Sequence, residues 1–160
     1  MNGHYIRGLE VAELSEKIKA LELHKNLTDL PNIERILEVE KTRLVTLCDI
    51  TTETDLYMKT PKYNPALLIF KKSTEEATLK GLEATLSYFT VAKWPDSIEG
   101  LNKVLADIVT ENKLTNGDLF WPIRVALSGL EKSPSPAELM WALGKEESLV
   151  RINSASALLK

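Results

Sequence analysis

An all-α fold is the prediction, and three observations carry it. Apolar residues return at helical spacing along most of the chain, as in Leu79, Leu82, Leu86 and Phe89. The breaks between such stretches hold helix starts and stops: Ser, Thr or Asp before an acidic first turn, Pro at a first position, Gly after a last apolar residue. No segment sustains the apolar–polar alternation of a strand. A chain of 160 residues suits one compact domain or two small subdomains sharing a core.

The elements follow in order. Residues 2–8 form a capped loop or short helix. Leu9, Val11, Leu14, Ile18 and Leu21 then predict an amphipathic helix ending near Leu23. Thr28-Asp29-Leu30-Pro31 is a helix start, and from Ile33 the positions Ile36, Leu37, Leu44, Leu47 and Ile50 extend one helix, with Cys48 on its inner face as a core thiol. Thr51–Met58 has a Thr cap and acidic first turn and reads as a short helix. Pro61 and Pro65 make Lys59–Pro65 a turn or linker. Ala66–Phe70 is short and apolar, and in this company it is read as helical. A subdomain boundary is expected at 71–73, dividing 1–72, with residues 1–8 as a junction, from 73–160.

Ser73-Thr74-Glu75-Glu76 has capping-box form and opens a helix reaching Tyr88 or Thr90. Trp94-Pro95 closes it, with Trp94 read as a packed anchor between helices. Asp96-Ser97 then caps the helix carrying Ile98, Leu101, Val104, Leu105 and Ile108. The last helix is expected over Glu146–Leu159.

The stretch Gly117–Pro136, GDLFWPIRVALSGLEKSPSP, is the most informative. Asn116-Gly117 gives a break, Asp118 a cap, and Pro122 is taken to sit in the early turns, where its missing N–H is tolerated. Arg124 rises from an otherwise apolar helix that Ser128-Gly129 stops. Ser135, Pro136 and Glu138 start the next helix, ended by Gly144. One aimed guanidinium beside two Pro-stiffened turns suits recognition of an anion or a base edge better than catalysis.

Composition limits the function. No apolar run approaches the ~18 residues of a membrane span, and no signal peptide opens the chain. Cys48 is the one cysteine, so no internal disulfide forms and a reducing, cytoplasmic setting is expected. A net charge of −3 and a pI near 5.5 argue against nucleic-acid binding by bulk charge, so any RNA site must be a local cluster of Arg and Lys. His4 and His24 have no companion at metal spacing and read as surface residues. The glycines are isolated, with no phosphate loop, and the Glu75-Glu76 and Glu146-Glu147 pairs fall in helix first turns. No catalytic set and no metal or cofactor site can be argued.

FWPIRVALSG followed by SPSP and LGKEESLVRI resembles the C-terminal end of bacterial glutamyl-tRNA synthetases, and NGHYIR resembles the segment shortly after their catalytic signature loop. The resemblance covers Asn2 to about Ile152. It implies an α-helix cage of two packed subdomains that binds an anticodon. No HIGH-like or KMSKS-like sequence occurs, so ATP and glutamate are expected on a catalytic domain outside this chain, with no cofactor here. The expected partners are tRNA for glutamate, through its anticodon loop, and that catalytic domain; no membrane is expected, and the chain is taken as a monomer.

The resemblance also assigns residues. Arg43 and Arg124 would face the anticodon, Arg43 as the type that favours glutamate tRNA over glutamine tRNA. Trp121, Pro122, Ser133 and Pro134 would shape the pocket wall, and Lys132 would meet a phosphate. Many relatives carry a smaller polar residue at the Trp121 position, and from packing alone Trp121 and Trp141 read as core. Arg7, Arg35 and Arg151 have no motif argument.

A helical protein-interaction scaffold is the alternative. It predicts that Arg43 and Arg124 are each neutralised by a nearby carboxylate; anticodon recognition predicts one exposed face that no carboxylate closes.

Overall fold

The computed structural model describes residues 3–20, 30, 32–50 and 54–160, and these contain helices and turns but no strand. Their contacts form two compact units, Met1–Thr60 and Pro61–Lys160. Residues 61–72, on the early side of the expected boundary, thus pack with the later unit.

In the first unit α1 spans Gly3–Gly8, α2 Val11–Ala20 and α3 Ile33–Glu40. The amphipathic periodicity works as expected: Leu14 and Ile18 of α2 are buried with Ile36, Leu37 and Val39 of α3, and the two helices pack together. The long helix expected from Ile33 to Ile50 does not form. It ends at Glu40, whose carbonyl accepts the Arg43 amide at 2.8 Å and the Leu44 amide at 3.2 Å. Nearby, the Lys41 ammonium donates to the Leu9 carbonyl at 2.8 Å. After the turn a 3₁₀ turn covers Leu47–Asp49, where Cys48 is exposed rather than in the core. The Asp49 carboxylate accepts the Thr46 amide at 2.8 Å and the Val45 amide at 3.0 Å, which hold its pKa below the usual value. Helix α4, Asp55–Met58, closes the unit. The expected start at Thr28–Pro31, apart from Leu30, and the Thr51–Glu53 cap lie outside the described residues.

The second unit is built around α7, Asn116–Ser128, against which α5 (Glu75–Val91), α6 (Ile98–Glu111), α8 (Pro136–Leu143) and α9 (Lys145–Leu158) all pack. Leu119, Ile123, Val125, Ala126 and Leu127 are buried, so apolar residues surround most of the α7 axis, the pattern of a central helix. The caps agree with sequence logic at α8. Ser135 accepts the Glu138 amide at 3.3 Å, Glu138 accepts the Ser135 amide at 3.2 Å, and Pro136 takes the first position. Trp94 packs on Phe89 with ring centroids 4.8 Å apart, as an anchor should.

Elsewhere the caps shift. Thr74, not Ser73, caps α5 by accepting the Ala77 amide at 3.1 Å. The Ser73 hydroxyl donates instead to Asp118 at 2.5 Å. Asp118 does not cap α7 but sits at its third position, accepting the amide of the cap residue Thr115 at 2.7 Å. Burial of Asp118 pushes its pKa up, and the bonds from Ser73 and Thr115 outweigh that, leaving it below the usual carboxylate value.

Pro122 stands inside α7 rather than in its first turn. Lacking an N–H, it leaves the Asp118 carbonyl without its helical donor. That oxygen lies against Gly81 of α5, so closely that a Cβ at Gly81 would fall under the 3.0 Å that such atoms keep from their neighbours. Proline frees the carbonyl and glycine makes room for it, which lets α5 and α7 pack closely.

Candidate nucleic-acid interface

Across Asp118–Ser128 of α7, three residues are not buried: Phe120, Trp121 and Arg124. Trp121 and Arg124 stand three positions apart and so share a helix face. Segment 61–70 runs along α7. The Trp121 indole N–H donates to the Leu67 carbonyl at 2.8 Å, its ring meets Phe70 at 5.4 Å between centroids, and Pro61 and Tyr63 lie beside Gly129. Half-buried Tyr63 has its pKa raised by that burial. Trp121 is thus an anchor that stays partly open, and its neighbour Pro122 is buried.

Arg124 is the charge on this face of α7 among the described residues. It is half-buried, its Nε is fully shielded from solvent, and among the described residues that Nε has no hydrogen-bond partner. A buried donor left unmade costs about 1–3 kcal/mol, and the Trp94 indole N–H shares this condition. Gly129, at φ +72°, ends the helix in the left-handed region that glycine favours, and the chain turns through Lys132, Ser133 and Pro134 to α8. Lys132 is exposed, Pro134 is buried, and the Ser133 hydroxyl donates to the Pro134 carbonyl at 2.9 Å.

Arg151 of α9 is a further arginine tied to α7, one that no sequence motif marked. It is 2% exposed, donating to the Leu127 carbonyl at 2.6 Å and to Glu147 at 2.8 Å. A cation on a carbonyl of the last turn of α7 complements that helix end. Glu147-x-x-x-Arg151 is an i, i+4 pair legible in the sequence, but nothing there marked it as buried.

Arg43 stands in the first unit, in the turn after α3. Its Nε lies 3.4 Å from Glu40 Oε2, and its side chain is 35% exposed. Arg43 thus has the carboxylate neighbour that the scaffold alternative predicts, whereas Arg124 has no ion pair among the described residues.

Arg124 and the anchored Trp121 thus share the partly open face of α7. The chain belongs to the anticodon binding domain family, which matches residues 10–156. It is 34% identical over 158 residues to the glutamate–tRNA ligase of Lachnoclostridium phytofermentans, and 36% identical over 157 residues to that of Clostridium botulinum. These alignments cover 97% and 95% of this chain but 32% of each relative, so the chain spans about a third of their length. In fold it is similar to the crystallised glutamate tRNA ligases of Elizabethkingia meningosepticum (TM-score 0.80, 22% identity) and Elizabethkingia anophelis (TM-score 0.73, 21% identity). Those superpositions cover 99% and 98% of this chain and 31% and 30% of the solved chains.

Proposed function

We propose that this chain is the anticodon-binding part of a glutamate–tRNA ligase. In this reading it recognises the anticodon loop of glutamate tRNA while a catalytic domain elsewhere in the parent protein attaches glutamate with ATP. The chain itself performs no chemistry and holds no cofactor. The observation that carries the reading is Arg124, a half-buried guanidinium with no ion pair among the described residues on the partly open face of α7, in a chain that belongs to the anticodon binding domain family. Single-stranded RNA is read by splaying its bases and bonding their edges, and a guanidinium offers a planar fork for that purpose. Trp121, Pro122, Ser133 and Pro134 would form the rigid wall around the fork, and Lys132 would meet a phosphate. Arg43 would read a second position from the first unit.

The test is binding of this chain, at low salt, to a glutamate-tRNA anticodon stem-loop and to loops changed at single anticodon bases. Arg124→Ala is expected to lose about 1–3 kcal/mol on the cognate loop and to relax preference at one base. Lys132→Ala would weaken all loops alike and lower the salt dependence. Unchanged discrimination in Arg124→Ala would refute the base-reading role. Equal binding of wild type to every loop would instead favour the scaffold reading, which the Arg43–Glu40 pair supports at one residue.

A further inference from the structure

We infer that Glu40 is a positioning residue for Arg43, holding its guanidinium in one orientation for a base edge; this rests on the reading of the chain as an anticodon-binding module. Glu40 is 0% exposed at the end of α3, although a carboxylate is costly to bury without partners. The Tyr57 hydroxyl, from α4, donates to its Oε1 at 2.6 Å, and Arg43 Nε lies 3.4 Å from its Oε2. The Glu40 carbonyl also accepts the Arg43 amide at 2.8 Å. One buried residue therefore bonds the main chain of Arg43 and sets a fixed negative charge beside its side chain, an ion pair in which Oε2 itself accepts no hydrogen bond among the described residues.

The asymmetry separates this arrangement from an ordinary surface pair. In a solvated i, i+3 pair both partners are exposed and little is fixed. Here the acid is wholly buried and locked by Tyr57, while the base reaches the surface at 35% exposure. A carboxylate fixed by burial beside the Nε edge favours the orientations of the planar fork that keep this edge toward it. Orientation set during folding need not be acquired on binding, the general advantage of a preorganised contact.

The experiment measures binding of the chain to the cognate anticodon stem-loop and to single-base variants of it, with wild type, Arg43→Ala, Glu40→Gln and the double variant. Helical content by circular dichroism serves as the check on folding. Glu40→Gln keeps the shape and removes the charge. The expectation is that it loses about tenfold in discrimination at the same base as Arg43→Ala, and that the double variant loses no more than Arg43→Ala alone. Tyr57→Phe, which removes one hydroxyl, should lower discrimination at that base too, and it decides the matter if Glu40→Gln does not fold. Wild-type discrimination in Glu40→Gln, or an equal rise in binding to all loops, would overturn the inference, the latter making Glu40 a mere counter-charge. If Arg43→Ala itself leaves discrimination intact, the base-reading role of Arg43 falls and the positioning role with it. Loss in Arg43→Ala with none in Glu40→Gln removes the positioning role alone.

Discussion

Gly81→Ala is an informative stability test, because two known effects oppose each other there. Alanine in a helix interior is favoured over glycine by ~1 kcal/mol, so an uncrowded site would gain. At Gly81 the new Cβ would enter the space of the Asp118 carbonyl oxygen and stand 3.3 Å from its carbon and 3.4 Å from Leu119 Cα. All three are backbone atoms of a packed helix, so no side-chain rotation relieves the clash, and α5 and α7 must move apart. Overpacking of this kind costs about 1–3 kcal/mol, and with a backbone obstacle the upper end applies. A cost of ~3 kcal/mol less the ~1 kcal/mol propensity gain leaves a net loss of ~2 kcal/mol. The assay is denaturant unfolding, comparing midpoints at equal slope. Gly8→Ala is the control: it has nothing within 4 Å of its added Cβ and should be neutral or slightly stabilising. A Gly81→Ala protein as stable as wild type would refute the close approach, since propensity would then have won.

The remaining predictions concern charge. Asp118→Asn should cost about 1 kcal/mol at neutral pH by weakening the bonds from Ser73 and Thr115. Because the folded pKa of Asp118 is lowered, its contribution is complete above the ordinary value of 3.8 and is lost as pH falls through the folded value. The gap between wild type and variant should therefore close in acid, as unfolding followed from pH 7 to below 4 would reveal. Arg151→Ala should destabilise by about 3 kcal/mol, mainly by leaving the Leu127 carbonyl without its donor. Glu147→Ala leaves the buried Arg151 Nε without its acceptor and should cost about 1–3 kcal/mol, measured in the same denaturant series.

What the sequence made legible divides along local and tertiary causes. The α8 start was readable because Ser135, Pro136 and Glu138 complete their cap among themselves. The stop at Glu40 was not, since Lys41-Thr42-Arg43 holds no glycine or proline. Amides folding back on the Glu40 carbonyl and the Lys41 bond to Leu9 accompany that turn, and the latter is a partner 32 residues away. Pro122 misled for a similar reason: its place inside α7 is tolerated where Gly81, on another helix, receives the freed carbonyl. At the candidate interface, the sequence singled out Arg124 as one cation in an apolar helix. Nothing in it marked Glu40, three positions before Arg43, as buried, because α4 and Tyr57 supply that context. Ser73 looked like a cap and is instead tied to an acid 45 residues on.

The segment that lies along α7 has a bearing on how this module can be moved between proteins. A graft beginning at Ser73, where the periodicity restarts, would strip the Leu67 carbonyl from the Trp121 indole and the Phe70 ring from both Trp121 and Gly117. The recipient would inherit the helices but not the brace that turns the indole, and the ledge beside Arg124 would lose its floor. Recombination that preserves the recognition surface must therefore carry the chain from Pro61 onward, prolines included.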